Sequence, residues 1–198
     1  MVKKPISIKS YLILVLALSL ILNIISFKPA YATNNIDELY SDLRLISPWA
    51  IESIKKATEK GFIAGSMGKF NPKANITRAE FTKIIVNSLG VDINVDKAIN
   101  FEDVKERDWF YPYINVAYKE GIIKGNGNKF NPKDNITREE IAVIIVRALD
   151  IEPMKSNTLI KDLDNISNWA RADIDTAIAI GLMNGDNGVF SPKTFATR

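Results

Sequence analysis

The chain has 198 residues, with 26 Lys plus Arg against 23 Asp plus Glu, and it contains neither cysteine nor histidine. Without Cys there is no disulfide, thiol nucleophile or thiolate metal site, and without His there is no imidazole base and no usual zinc ligand. Four of the basic residues and none of the acids fall in the first 32 positions, so the remainder carries 22 basic against 23 acidic side chains. That balance offers no general attraction to nucleic acid, and the sequence implies no cofactor.

Lys3, Lys4 and Lys9 lead into an apolar run from Tyr11 to Phe27, and Ala30-Tyr31-Ala32 supplies a small-x-small site. This is the pattern of a signal peptide over residues 1–32, cleaved to leave an exported chain that starts at Thr33 and keeps no membrane segment. The alternative is a retained anchor, for which the run is close to the short limit for spanning a bilayer.

After the leader, the sequence repeats with a period of 60 residues. Trp49, Trp109 and Trp169 keep that step, as do Gly61, Gly121 and Gly181, then Gly65, Gly125 and Gly185. Phe70, Phe130 and Phe190 follow, with Pro72, Pro132 and Pro192, and Thr77-Arg78, Thr137-Arg138 and Thr197-Arg198 complete the register. Self-similarity at a fixed interval marks a repeat architecture. The units are expected over residues 39–92, 100–152 and 160–198.

Each unit reads as helix, glycine-rich loop, helix, which makes the chain mainly all-α. In the first helix, Ile54/Ile114/Ile174 and Ala57/Ala117/Ala177 form an apolar stripe at i, i+3 spacing. Gly61, Gly121 and Gly181 suit the left-handed position that ends a helix. The loop then closes on Lys69-Phe70-Asn71-Pro72 and its counterparts, with the Phe expected in the core. Thr77 with Glu80, and Thr137 with Glu140, are capping boxes that open the second helix, and capping accounts for both glutamates. The apolar face that follows is Phe81, Ile84, Ile85 and Leu89, matched by Ile141, Ile144, Ile145 and Leu149. The connectors 91–100 and 151–160 show no comparable pattern and read as linkers. Asp42-Leu43 and Asp162-Leu163 precede their Trp at one distance, while Asp103-Val104 sits one residue nearer. The third unit reaches Arg198 before its capping glutamate, so the sequence looks like a fragment of a longer chain.

Phe101-x-Asp103-Val104, Trp109, Gly121-Ile122-Ile123-x-Gly125, Phe130-x-Pro132 and Ile136-Thr137-Arg138-x-Glu140 resemble the S-layer homology repeat. The most specific element is Ile76-Thr77-Arg78-Ala79-Glu80, repeated with Glu139 in place of Ala and shortened to Ala196-Thr197-Arg198. The resemblance implies an intrachain pseudo-trimer with grooves between repeats. Such grooves hold secondary cell-wall polysaccharide, often through a pyruvate ketal, and so fix surface proteins noncovalently to the peptidoglycan-linked wall of Gram-positive bacteria. It further implies a cell-wall or S-layer location, no catalytic role for these repeats, and S-layer self-assembly through other regions.

The residues suggest how such a ligand would be held. Arg78, Arg138 and Arg198 stand at the first helical position, where the macrodipole disfavours a cation. With first-turn amides left open, each arginine could grip a carboxylate; the alternative is an arginine bonded to a neighbouring repeat's carbonyls or to an Asp. Gly65, Gly125 and Gly185 admit either a closely approaching sugar or a tight turn. Trp49, Trp109 and Trp169, one turn ahead of the Ile and Ala columns, read as core, whereas exposed indoles would stack on sugar rings. Lys73, Lys133 and Lys193 add positive potential or are simply solvated.

Three other classes fit the residues less well. A calcium loop is suggested by Gly125-Asn126-Gly127-Asn128, but Gly65-Ser66-Met67-Gly68-Lys69 has no carboxylate for a cation. A carboxylate-pair glycosidase lacks an acid pair that stands out, although a catalytic domain beyond Arg198 stays open. A peptide-binding solenoid has a shorter period and no long glycine-rich loop.

Overall fold

The computed structural model describes residues 39–198. The signal peptide expected over residues 1–32 lies outside the described residues. Among the described residues there are five α-helices and no named strand: α1 (Ile51–Glu59), α2 (Arg78–Leu89), α3 (Tyr111–Lys119), α4 (Arg138–Ala148) and α5 (Arg171–Ala179). The mainly all-α expectation is met, and no helix among these residues is long and apolar enough to cross a membrane.

Local signals act where the sequence put them. Gly61, Gly121 and Gly181 take φ of 71°, 72° and 75°, the left-handed region that a Cβ disfavours, and so end the first helix of each unit. Thr77 caps α2 by accepting from the Glu80 amide, while the Glu80 carboxylate accepts from the Thr77 amide at 2.8 Å. Thr137 and Glu140 repeat the reciprocal pair at the start of α4. Phe70, Phe130 and Phe190 are buried, as expected of apolar plugs.

The glycine-rich loops are short hairpins, bridged at Ser66–Lys69, Asn126–Lys129 and Asp186–Val189. Each is stapled from the segment before its Trp. Asp42 accepts from the Phe70 and Asn71 amides, Asp103 from those of Phe130 and Asn131, and Asp162 from those of Phe190 and Ser191. Both oxygens of every carboxylate are used, at 2.7–2.9 Å. The one-residue slip at Asp103 is taken up in the turn between the Asp and its Trp.

Helices pair across repeats. α2 of the first repeat packs on α3 of the second, and α4 of the second packs on α5 of the third. This shifts the expected core face of the second helix, of which Ile144 is buried and Phe81, Ile84, Ile85 and Ile141 pack against the core. The deepest positions are Ala79, Thr82 and Val86 in α2, with Ala142, Val143, Ile144 and Val146 in α4. Phe81, Ile84, Ile85, Ile141 and Ile145 are only half-buried, and Leu89 and Leu149 are exposed.

The tryptophans also depart from the core expectation: Trp49 is 84%, Trp109 53% and Trp169 55% exposed. Trp49 and Trp169 lie in single 3-10 turns, Pro48–Ala50 and Asn168–Ala170, and Trp109 lies in a turn ahead of α3. None belongs to the helix whose stripe it would extend, so the 3.6-residue period does not carry across to it. The connectors, read as linkers, are docked. Asn115, buried in α3, accepts from the Ala98 and Ile99 amides and donates to the Val95 and Asp96 carbonyls. Thr176 in α5 bonds both main-chain groups of Met154 in the second connector.

At the centre, three extended segments close on one another. The Ile76 amide donates to the Ala196 carbonyl, Ile136 to Ile76, and Ala196 to Ile136, each at 3.0 Å. All three repeats share this ring, and the Thr-Arg motif follows it in every one.

Candidate functional site

Immediately beyond the ring, the arginines reach sideways into the next repeat. The Arg78 Nε donates to the Phe130 carbonyl at 2.9 Å, its guanidinium pairs with Glu140, and it lies 4.7 Å from the centre of the Phe130 ring. Arg198 does the same to the first repeat, bonding the Phe70 carbonyl at 3.1 Å, Glu80 at 3.1 Å and the Ala64 carbonyl at 2.7 Å. Arg138 bonds the Phe190 and Asn184 carbonyls, each at 2.9 Å, and has no carboxylate partner among the described residues.

These contacts realise the alternative in which the arginine serves the neighbouring repeat, with Glu rather than Asp as its acid. The first-turn amides are not open. Arg78 and Ala79 donate to the Asp134 and Pro132 carbonyls, and Arg138 and Glu139 to those of Thr194 and Pro192. Nor does capping account fully for the glutamates. Glu140 holds Thr137 through Oε2 and Arg78 through Oε1, and Glu80 divides its oxygens between Thr77 and Arg198 in the same way. That second role follows from repeat-to-repeat geometry, which a capping motif does not encode.

Around Arg78 opens a cleft of about 900 Å³, floored by the second repeat's loop and α4 and walled by Trp169 and Phe195 of the third repeat. Its size falls in the range of small-ligand sites. It brings together Arg78, Gly125, Thr137, Glu140 and Trp169 among the expected site residues. Trp49, Trp109, Gly65 and Gly185 lie elsewhere. At Gly125 and Gly65 the space of a Cβ is filled by the Phe101 and Tyr40 rings and by the Lys129 and Lys69 carbonyls, and at Gly185 by the Val189 main chain. The close approach these glycines allow is therefore made by the protein itself.

Four basic and two acidic side chains line the cleft, so its field is net positive. Lys124, Lys133 and Arg147 contribute to that excess, although Lys124 and Arg147 lay outside the repeating motifs. Burial pushes the Asp173 carboxyl up, while the charges of Arg147 and Lys124 pull it the other way. Between α2 and α3 the surface differs. The Lys83 ammonium stands 5.7 Å from the ring centre of Trp109 and 5.5 Å from that of Tyr113. Lys193 is not simply solvated: it pairs with the buried Glu139, which also accepts from the Ser167 amide and hydroxyl. That pin locks the second repeat to the third and explains the departure from Ala at residue 139.

The S-layer homology domain model matches residues 39–82, 100–142 and 159–198. The chain belongs to the S-layer homology domain family. Its S-layer homology repeats recur in proteins of varied kinds. The chain is 35% identical over 175 residues to an amylopullulanase of Thermoanaerobacterium thermosulfurigenes, covering 85% of the chain and 9% of that protein. It is 36% identical over 159 residues to exoglucanase XynX of Acetivibrio thermocellus, covering 76% and 14%. It is 31% identical over 154 residues to the S-layer protein sap of Bacillus anthracis, covering 76% and 19%. The chain thus spans less than a fifth of the length of these relatives.

Proposed function

We propose that this chain anchors an exported protein noncovalently to the bacterial cell wall, by holding an acidic secondary polysaccharide in clefts between its S-layer homology repeats. The observation that carries the reading is a cleft of ligand size, net positive, with a half-exposed indole at its wall, set between repeats that backbone hydrogen bonds join in a ring. An indole face suits the C–H surface of a pyranose, and the positive field suits an acid on it. The ring further supports the intrachain pseudo-trimer, with unit bounds near 39–92, 100–152 and 160–198. A pyruvate ketal is the acid we assign, and a Gram-positive envelope the location. The relatives, which include both S-layer proteins and polysaccharide hydrolases, favour a targeting module carried by different cargoes.

Sedimentation with purified sacculi tests this. The chain should pellet with intact sacculi and stay in solution once the secondary polymer has been acid-extracted. Equal pelleting with bare peptidoglycan, or none with intact sacculi, overturns the reading.

A further inference from the structure

The arginine in the cleft, Arg78, is committed to the Phe130 carbonyl and to Glu140, so an acid entering there must find other cations. Lys124, Lys133 and Arg147 line the same cleft as Trp169, and none has a carboxylate within 4 Å among the described residues. Long cationic side chains around a concave site beside an exposed aromatic are suited to an anionic sugar: the ring stacks and the acid is paired. Lys133 has a counterpart in Lys73, but the other two do not recur: one period earlier stand Ala64 and Asn87. There the one cation of α2 besides Arg78 is Lys83, placed over Trp109 and Tyr113, and its counterpart in α4 is Val143.

Resting on the anchoring reading, we propose that the cleft between the second and third repeats is the acid-selective one, with Lys124 and Arg147 as its specificity-determining anion contacts. Lys133 adds field common to both repeats. The surface at Trp109 then takes sugar with little dependence on its acid, because its cation is already engaged with two rings.

Titration by NMR against three probes tests the assignment. These are the methyl glycoside of pyruvylated N-acetylmannosamine, the same glycoside without the pyruvyl group, and glycerol phosphate. Lys124→Ala with Arg147→Asn installs the first repeat's own residues, so folding should be kept, and an unchanged thermal midpoint verifies that. The double variant should bind the pyruvylated probe at least about tenfold more weakly, the change expected when charge-assisted contacts are lost. The neutral glycoside should be affected little, and Lys83→Ala should leave the pyruvylated affinity near that of the parent. Stronger parental binding of glycerol phosphate than of the pyruvylated probe would reassign the acid to phosphate and overturn the pyruvyl source. The inference fails if the double variant binds like the parent, or if the parent does not distinguish acidic from neutral glycoside. Either result with intact pelleting on sacculi leaves the anchoring reading standing, whereas loss of pelleting by the parent removes that reading itself.

Discussion

At the scale of single residues, Arg78 is the most instructive side chain. A cation at the first position of a helix is misplaced with respect to the macrodipole, which correctly marks it as unusual. What offsets the cost is the next repeat: the Phe130 carbonyl, the Phe130 ring and Glu140 surround a guanidinium whose side chain is only 13% exposed. The charge oddity was legible in the sequence, but its partner, 62 residues away, was not. Removing Arg78 strands a carboxylate and a carbonyl in a partly desolvated junction. Arg78→Ala should therefore lower stability by about 2–3 kcal/mol, the range for losing hydrogen bonds to a charged group. Arg78→Lys should recover little of it, because an ammonium lacks the planar fork that serves two acceptors at once. Urea denaturation reads both as shifts in midpoint at constant slope. An Arg78→Ala midpoint equal to the parent's would mean that the junction bears no load and that the arginine is available to ligand after all.

At the scale of elements, the legible features are those a few neighbouring residues decide. The capping boxes, the left-handed glycines and the buried phenylalanines all need only local backbone geometry. The tryptophans, the docked connectors and the true face of α2 depend on where another repeat lies. Asn115 shows the difference: one amide side chain in a helical stripe becomes a four-bond pin for the segment 95–99, and no periodicity announces that. The Asp staples are intermediate. Their distance to the following Phe is 28, 27 and 28 residues, a near-constant span hidden by the shift relative to Trp. Burial acts to raise the Asp42 pKa, but bonds from the Phe70 and Asn71 amides and the charge of Lys69 outweigh it and hold the value below the usual carboxylate range. A folded value lower than the unfolded one gives stability that is present above the unfolded pKa, about 3.9, and lost as pH falls through the folded one. The first loop should therefore stay closed through mild acid and release only below about pH 4. NMR of the Phe70 and Asn71 amides, followed through an acid titration, checks this. An inflection above that of a free Asp reverses the sign and refutes the staple.

At the scale of the whole molecule, the second helix of one repeat covers the first helix of the next. α2 covers α3 and α4 covers α5, which leaves Ile114 and Ile174 at 0% and 1% exposure. No described helix covers α1 in that way. Its equivalents Ile54 and Ala57 are half-buried, and they line a groove of about 290 Å³ together with Phe81, Ile84 and Thr197. Arg198 stands at the mouth of this groove, in the position from which α2 and α4 begin. A copy of α2 appended after Arg198 would fill it by the same contacts that serve α3 and α5, and its Glu80 equivalent would offer Arg138 a carboxylate, of which it has none among the described residues. Appending a copy of residues 79–90 after Arg198 should therefore raise the thermal midpoint. Completing the burial of the half-buried Ile54 side chain alone contributes about 1 kcal/mol, and for a chain of this size each kcal/mol moves the midpoint by about 2–4 °C. A rise of about 2–4 °C in circular dichroism is the expected minimum, and Ile54→Asp in the extended chain should cancel most of it. If the appended helix adds ellipticity without raising the midpoint, it is not seated on α1, and the third repeat does not pair with the first as the first pairs with the second.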